Sequence, residues 1–349
     1  MHPFDYAQPL DTDGAVATVT GDPRASFLAG GTTQLDLMKD GVLTPGLLVD
    51  ITRLPLRGIT HTDSAVHVGA LTTMEELAAD PVLRRRLPFV REALLLGAST
   101  QLRNMATIGG NLLQRTRCRY FRDPTVAACN KREPGSGCAA VAGVHRMHAV
   151  LGTSDHCIAL HPSDLAVPLT ALDAIVHVQG DDGARAIPLT RFYRTPGDTP
   201  QIENVLRHGE LITAVEIPFP AEGTRSHYIK VRDRASYEFA LTSAGVALLV
   251  EGGTIQEARV ALGGVGTVPW RAGEAEVALR GAPPRRDTFR AAADAALRAA
   301  RPLPGTAFKV ELAKRTLVRA LETVTGTTTT GATSTGPTTE GPTTEGVRP

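Results

Sequence analysis

The chain has 349 residues, 42% hydrophobic and 21% charged, enough to fill a core in more than one domain. Its 37 basic and 36 acidic residues leave a formal charge of +1, and no basic run is interleaved with aromatics, so composition argues against a nucleic-acid partner. The opening MHPFDYAQPLDTDGAV has neither a basic n-region nor an apolar h-region, and no apolar run reaches the roughly 18 residues of a spanning helix, so by its own sequence the chain is expected in the cytoplasm.

The first predicted elements lie between residues 26 and 51, where a short apolar run, a Gly-Gly-Thr-Thr break, the helical spacing of Leu35, Leu37 and Met38, and the run Leu47 to Ile51 read as strand, turn, helix and strand. A second strand is predicted over Ala65 to Leu71, before a helix near Thr73 with Glu76 at the capping-box spacing. A further helix, about Pro88 to Gly97, leads into ASTQLRNMATIGGNLL. Residues 115–157 are rich in Arg, Gly, Pro and Asn, lack periodicity, and predict a segment that needs an internal organiser such as a metal cluster.

Apolar patterning returns over Leu165 to Val178, and 186–217 reads as strand, turn and strand up to Pro218. The PFPAEG stretch, 218–223, marks a candidate domain boundary. Beyond it, TSAGVALLV (242–250) and ARVALGGV (258–265) predict antiparallel strands with one covered face. Helices are predicted over Ala272 to Leu279, Arg285 to Arg301 and Phe308 to Val324. The remainder, with GPTTE in tandem and almost no apolar residue, predicts a disordered Thr/Gly/Pro tail over 326–349.

Five features carry candidate chemistry. Ala29-Gly30-Gly31-Thr32-Thr33 falls between a predicted strand and helix, where glycines let N–H groups approach an anion, the helix N-terminus adds partial positive charge, and hydroxyls donate. It is not the G-x-G-x-x-G fingerprint, and such turns are common in proteins that bind nothing. Thr107-Ile108-Gly109-Gly110-Asn111 is a similar element about 75 residues later, and the two can meet one diphosphate from opposite sides.

The chain's four cysteines, Cys118, Cys129, Cys138 and Cys157, crowd into one segment spaced C-x10-C-x8-C-x18-C. A disulfide framework spreads more widely, zinc knuckles favour C-x2-4-C, and ferredoxins favour C-x2-C-x2-C. Four thiolates delivered singly can still surround a cubane, with Arg117, Arg119, Arg122, Lys131 and Arg132 near enough to balance its charge; zinc and unligated thiols stay open, as does a histidine ligand from His145, His148, His156 or His161. Asp164, in HPSDLAVPL, can accept ribose hydroxyls, and Lys230, in YIKVRDR, can answer a phosphate or a flavin edge, although isolated residues of either type are usually solvated.

Taken together, LAGGTTQLDLMK (28–39), GASTQLRNMATIGGNLL (97–113), HPSDLAVPLTALDA (161–174), VALGGVGTVPWRAGEAEVALRG (260–281) and FKVELAKRTLVRAL (308–321) resemble the FAD-binding medium subunits of the xanthine dehydrogenase and carbon monoxide dehydrogenase flavoprotein group, over about 1–325. Most members of that family run almost directly from the Gly-Gly-Asn element to the Ser-Asp-Leu block. The insertion here is similar to the one in the flavoprotein subunits of periplasmic aldehyde oxidoreductase and 4-hydroxybenzoyl-CoA reductase, which bind a [4Fe-4S] cluster through four cysteines. NKREPGSGCAA and YIKVRDRASYEFAL look closest to the aldehyde oxidoreductase subtype.

The resemblance implies an α+β fold: a two-lobed α/β FAD-binding domain of the PCMH type over 1–220, with the cluster insertion at about 115–158, then a carbon monoxide dehydrogenase flavoprotein C-terminal-like domain over 224–325, a three-stranded antiparallel sheet with helices. It implies that the FAD diphosphate is held by Phe27, Leu28, Ala29, Gly30, Gly31, Thr32, Thr33, Gln34 and Leu35 and by Thr107, Ile108, Gly109, Gly110 and Asn111, with Asp164 and Lys230 as further contacts. The cluster ligands would be Cys118, Cys129, Cys138 and Cys157. FAD would lie extended between the lobes with its isoalloxazine ring facing partner subunits.

The implied partners are a small subunit with two [2Fe-2S] clusters and a large molybdopterin subunit that oxidises an aldehyde, forming a heterotrimer with no membrane or nucleic-acid partner. This chain would pass electrons and need no acid–base residue of its own. Export to the periplasm would require a signal on a partner. The alternatives are a stand-alone oxidase with covalent FAD, against which 28–39 offers no His or Cys for attachment, and a zinc-stabilised scaffold.

Overall fold

The computed structural model describes residues 1–327, so the expected tail lies outside the described residues from 328 onward. The first lobe opens with strand β1 (Asp5–Ala7) and helix α1 (Thr12–Gly21), which sequence reading passed over. Asp11 caps α1 by accepting from the Gly14 N–H, and the helix buries Ala15, Val16 and Val19. Strand β2 (Ala25–Leu28), helix α2 (Gln34–Lys39) and strand β3 (Leu47–Asp50) follow, and the strands form a parallel sheet in the order β1-β3-β2. Parallel neighbours require a crossover, which α2 supplies for β2 and β3.

The second lobe begins with β4 (Ile59–His61), β5 (Ala65–Gly69) and the short helices α3 (Met74–Ala79), α4 (Pro81–Arg86), α5 (Pro88–Leu96), α6 (Thr100–Arg103) and α7 (Ile108–Leu112). The expected capping box is present: Thr73 accepts from the Glu76 N–H while Glu76 accepts from the Thr73 N–H. The cysteine segment contributes only α8 (Arg119–Arg122) and α9 (Ala139–Ala142); then α10 (Ala166–Ala171), β6 (Ile175–Gly180), β7 (Gly183–Pro188) and β8 (Leu211–Pro218) complete the lobe.

Its sheet is antiparallel throughout, in the order β4-β5-β8-β6-β7. One face, with Val66, Val68, Val176, Val178, Val215 and Ile217, packs against Leu77, Phe89, Val90 and Leu94 of the helices. The other face is half-exposed, the alternation expected of an antiparallel sheet covered on one side.

The C-terminal unit contains β9 (Arg225–Val231), β10 (Thr242–Glu251), β11 (Thr254–Gly263), β12 (Trp270–Arg271) and helices α11 (Gly273–Leu279), α12 (Arg286–Ala296) and α13 (Ala307–Thr325). Its sheet runs β12-β11-β10-β9, which corrects the three strands expected to four. The added strand is two residues paired to Ala261 and Leu262, too short to carry any periodicity. Phe289, Leu317 and Leu321 of the helices cover the sheet with Val150 and Leu151 of the cysteine segment, so that segment does enter the core at one end. Phe121 does so at the other, against Leu37 and Cys129.

Candidate cofactor site

Strand β2 ends at Leu28 and α2 starts at Gln34, so the first Gly-Gly element is the turn between them. Among the described residues, no backbone N–H from Ala29 to Gln34 meets an acceptor. The Gln34 side-chain amide nitrogen is also buried without a partner. Gly31 has φ 71°, the left-handed region in which glycine carries no Cβ penalty. A Cβ on Gly30 would lie 1.8 Å from the Met105 carbonyl oxygen, so the turn rests directly on the chain leading into the second Gly-Gly element.

The second element is built differently. Thr107 caps α7 by accepting from the Gly110 N–H at 3.2 Å. The Ile108 N–H donates to Thr72 O and the Gly109 N–H to Ala70 O, both at 2.9 Å, while the Asn111 N–H donates to Thr107 O at 2.8 Å. The Asn111 side chain is held too, donating to Met74 Sδ at 3.2 Å and accepting the Ser163 hydroxyl at 2.6 Å. The two elements converge, but among the described residues the first leaves six successive N–H groups free and the second only that of Thr107.

Two cavities meet at this junction. One of about 160 Å³ lies in the first lobe, lined by Phe27, Gly30, Gln34 and Ile51; the other, of about 250 Å³, runs past Met74, Ala98, Asn111 and Phe239 to Asp164 and Lys230. Thr32, Thr33 and Gly110 line both. Two chambers joined at an anion-friendly turn suit a ligand with two bulky ends and a charged middle. Leu28 and Leu35 flank the turn; Leu35 lies under Gly31.

Asp164 and Lys230 occupy the far end as a pair. Lys230 Nζ donates to Asp164 Oδ2 at 2.7 Å and to Leu96 O at 3.0 Å, and the Tyr228 hydroxyl donates to Asp164 Oδ1 at 2.6 Å. Tyr228 and Lys230 lie two apart on β9 and share a face. Burial pushes the Asp164 carboxyl up from the usual range, against the opposing pull of Lys230.

Arg117 also lines the larger cavity, which sequence reading missed. Its guanidinium bridges to Asp36 on α2 at 2.8 Å, yet its Nε is buried without a partner. Arg122 joins it on Asp36 and reaches Asp40 at 2.8 Å, so the cysteine segment is strapped to the helix that begins at the first Gly-Gly turn.

All four cysteines are free thiols lining one small enclosed cavity, with Cys129 and Cys138 bridged across adjacent backbones. Burial pushes the Cys118 thiol up to about 11, and raises the Cys157 thiol while Lys131 pulls it down. Around a single zinc with bonds of about 2.3 Å, thiolates sit roughly 4 Å from one another. Among the described residues no three of these sulfurs lie within 4.8 Å of each other.

Among the basic residues expected as counter-charges, Lys131 lines the cysteine cavity. Lys131 pairs with Glu203 at 2.9 Å and Arg132 donates to the carbonyls of Tyr120, Phe121 and Val126. Of the histidines, His148 Nε2 lies 3.1 Å from Cys118 Sγ, His156 lines the cysteine cavity, His145 binds Ala140 O, and His161 meets Tyr193 edge to face.

Comparison with known proteins agrees with this architecture. Residues 2–220 match the model described as the FAD binding domain in molybdopterin dehydrogenase, and 227–324 that of the CO dehydrogenase flavoprotein C-terminal domain. The aldehyde oxidoreductase FAD-binding subunit PaoB of Escherichia coli is 47% identical over 324 residues, covering 92% of this chain and 98% of its own. The carbon monoxide dehydrogenase medium chain of Hydrogenophaga pseudoflava is 29% identical over 91% of this chain and 96% of its own. A solved structure of carbon monoxide dehydrogenase from that organism superposes with a TM-score of 0.74 at 27% identity, over 93% of this chain and 98% of that one.

Proposed function

This chain belongs to the family of FAD-binding medium subunits of xanthine dehydrogenase-type oxidoreductases, in which substrate is oxidised on a partner subunit, and from that premise we propose that it is the FAD- and [4Fe-4S]-binding electron-transfer subunit of a molybdenum-dependent aldehyde oxidoreductase. The observation that carries the flavin site is the run of six uncommitted N–H groups, Ala29 to Gln34, at the junction of two cavities. These donors, with the Thr32 and Thr33 hydroxyls, would hold the diphosphate; Phe27 and Leu28 lead into the turn and Leu35 supports it from below. Thr107 to Asn111 form the opposite wall. The Asp164–Lys230 pair closes the far end of the larger cavity, where the ammonium's remaining donor would be available to the FAD. The bound FAD supplies the exchange between two-electron and one-electron steps.

Cys118, Cys129, Cys138 and Cys157 would hold the cluster. Their support is a shared cavity, sulfurs set wider apart than thiolates around one zinc, and burial that raises the Cys118 and Cys157 thiols, which metal binding would keep ionised at neutral pH. FAD is assigned to the unit spanning 1–220, with the cluster insertion at about 115–158, and the flavoprotein C-terminal unit spans 224–325. Electrons would arrive from the two [2Fe-2S] clusters of a small subunit, after oxidation of an aldehyde on a large molybdopterin subunit, and leave from this chain to an external acceptor. No helix among the described residues is long and apolar enough to cross a membrane, and a periplasmic location would rest on a partner's signal.

Anaerobic co-expression with the two partner subunits tests the reading. The expected preparation contains one FAD and, beyond the iron of the small subunit, four irons per chain; Cys138→Ala removes those four and leaves the flavin bound. One zinc per chain with no such iron would overturn the cluster assignment, and a colourless wild type would overturn the flavin assignment.

A further inference from the structure

The half-exposed face of the five-stranded sheet carries a group of side chains that neither cofactor cavity uses. His67 on β5 stands directly across from Glu216 on β8, and Glu216 stands across from Ile175 on β6, two residues before His177. Alternation along each strand therefore sets all three side chains on one face of three adjacent strands. The β6–β8 register slips immediately after His177, with Thr213 as the extra residue, and the Thr213 hydroxyl donates to the His177 carbonyl at 3.2 Å. Bulges of this kind re-aim the neighbouring side chains. Here His177 Nε2 ends 3.1 Å from Glu216 Oε2 and His67 Nδ1 ends 3.9 Å from the same oxygen.

We propose that His67, His177 and Glu216 form a binding site for a late first-row divalent metal ion of the zinc class. The three donor atoms all lie within 4.8 Å of one another, and they are the one such group among the described residues. Metal bonds of about 2.0–2.2 Å to nitrogen and oxygen put adjacent donors roughly 3 to 3.5 Å apart, so one observed separation already fits and small side-chain rotations close the others.

A simple ion pair does not account for the arrangement. The carboxylate makes one hydrogen bond within the group, with His177. His67 at 3.9 Å is beyond hydrogen-bond range, and its ring nitrogens have no other hydrogen-bond partner among the described residues. A shared ion would employ all three. Two imidazoles and one carboxylate suit zinc, nickel or copper better than magnesium or calcium. Side-chain exposure of 34%, 35% and 26% for His67, His177 and Glu216 leaves the outer coordination positions to water or a further ligand, the open arrangement rather than the closed one of structural zinc.

Calorimetric titration of the cofactor-loaded protein with Zn²⁺, and an optical titration with Co²⁺, test the site. The wild type should bind one more ion per chain than His67→Ala/His177→Ala, and the cobalt spectrum should show ligand-field bands without thiolate charge transfer. Glu216→Gln should weaken binding at least roughly tenfold while flavin content and melting temperature stay at wild-type values. Ions held at the cysteines or by the N-terminus with His2 survive these substitutions. Equal stoichiometry and affinity in wild type and double variant would overturn the proposal, as would a cobalt spectrum dominated by thiolate charge transfer that the double substitution leaves unchanged.

Discussion

Between Ala29 and Gln34 the backbone offers six N–H groups without acceptors, whereas from Ile108 to Asn111 all four are bound within the protein, to Thr72, Ala70 and Thr107. The two segments share a Gly-Gly pair beside a threonine and face each other across the same junction. The difference separates an element with donors to offer from one that supports. An N–H left unpaired and dry costs about 1–3 kcal/mol, so six in succession persist only where water or a ligand can reach them. The second segment gives up its donors to fix its own position, and Gly30 lets the first lie against it, with no room for a Cβ beside the Met105 carbonyl.

The strongest way to break this comparison is Gly30→Val. Its Cβ falls 1.8 Å from backbone that cannot move without displacing α7, so flavin should be lost from the purified protein together with several degrees of melting temperature. Retention of flavin at wild-type stoichiometry would show that the contact between the segments is dispensable. The next effect belongs to the far end of the cavity. Lys230→Met leaves the buried Asp164 with only Tyr228, and removal of one partner from such a pair costs about 3 kcal/mol or more, read as a lower denaturant midpoint and as weakened flavin retention.

A matched pair of substitutions sharpens the comparison at smaller amplitude. Thr33→Val removes a hydroxyl that no protein group uses, so FAD should bind severalfold more weakly, about 1 kcal/mol, at unchanged melting temperature. Thr107→Val removes the cap of α7, so stability should fall by about 1 kcal/mol while FAD affinity for the folded protein holds. Flavin titration and thermal unfolding on both variants decide it; the opposite pattern would exchange the two roles.

What could be read from the sequence follows from how local each signal is. The turn after β2, the Thr73–Glu76 box and the β10–β11 pair carry their signatures within a dozen residues, and all three are in the structure. Strand β1 was not legible because three residues have no period and pair with β3 some forty residues later. Helix α1 was: Asp11 before Ala15, Val16 and Val19 is a cap followed by an apolar face, overlooked because that stretch was read only for a leader. The Gly-Gly elements looked equivalent because their glycines are local while the acceptors that distinguish them, Ala70 and Thr72, lie on another loop. Ser163 on Asn111 and Tyr228 on Asp164 were out of reach for the same reason, and so was Arg117, whose charge is legible but whose Asp36 partner is 81 residues away.

The smallest effect contrasts the first turn with the neighbourhood of the cysteine segment in acid. Glu210 lines the first-lobe cavity, and Arg185 and Arg207 hold its carboxyl down to about 2 against the cost of burial. A carboxyl lowered on folding gives stability that is complete above its unfolded value near 4.5 and is lost as pH falls from there toward 2. His161, beside the cysteine segment and edge-on to Tyr193, is pushed down to about 4 by burial. An imidazole lowered on folding gives stability that is complete above about 6.5 and is lost as pH falls toward 4, because the unfolded chain binds the proton first. The region around His161 should therefore loosen between pH 6.5 and 4.5 while the wall behind the first turn stays intact. Hydrogen exchange across that interval would show faster exchange near 159–163 and 193 than near 29–34, and His161→Gln would flatten the difference. Loosening of both regions together near pH 4 would mean that the carboxylates alone govern acid stability.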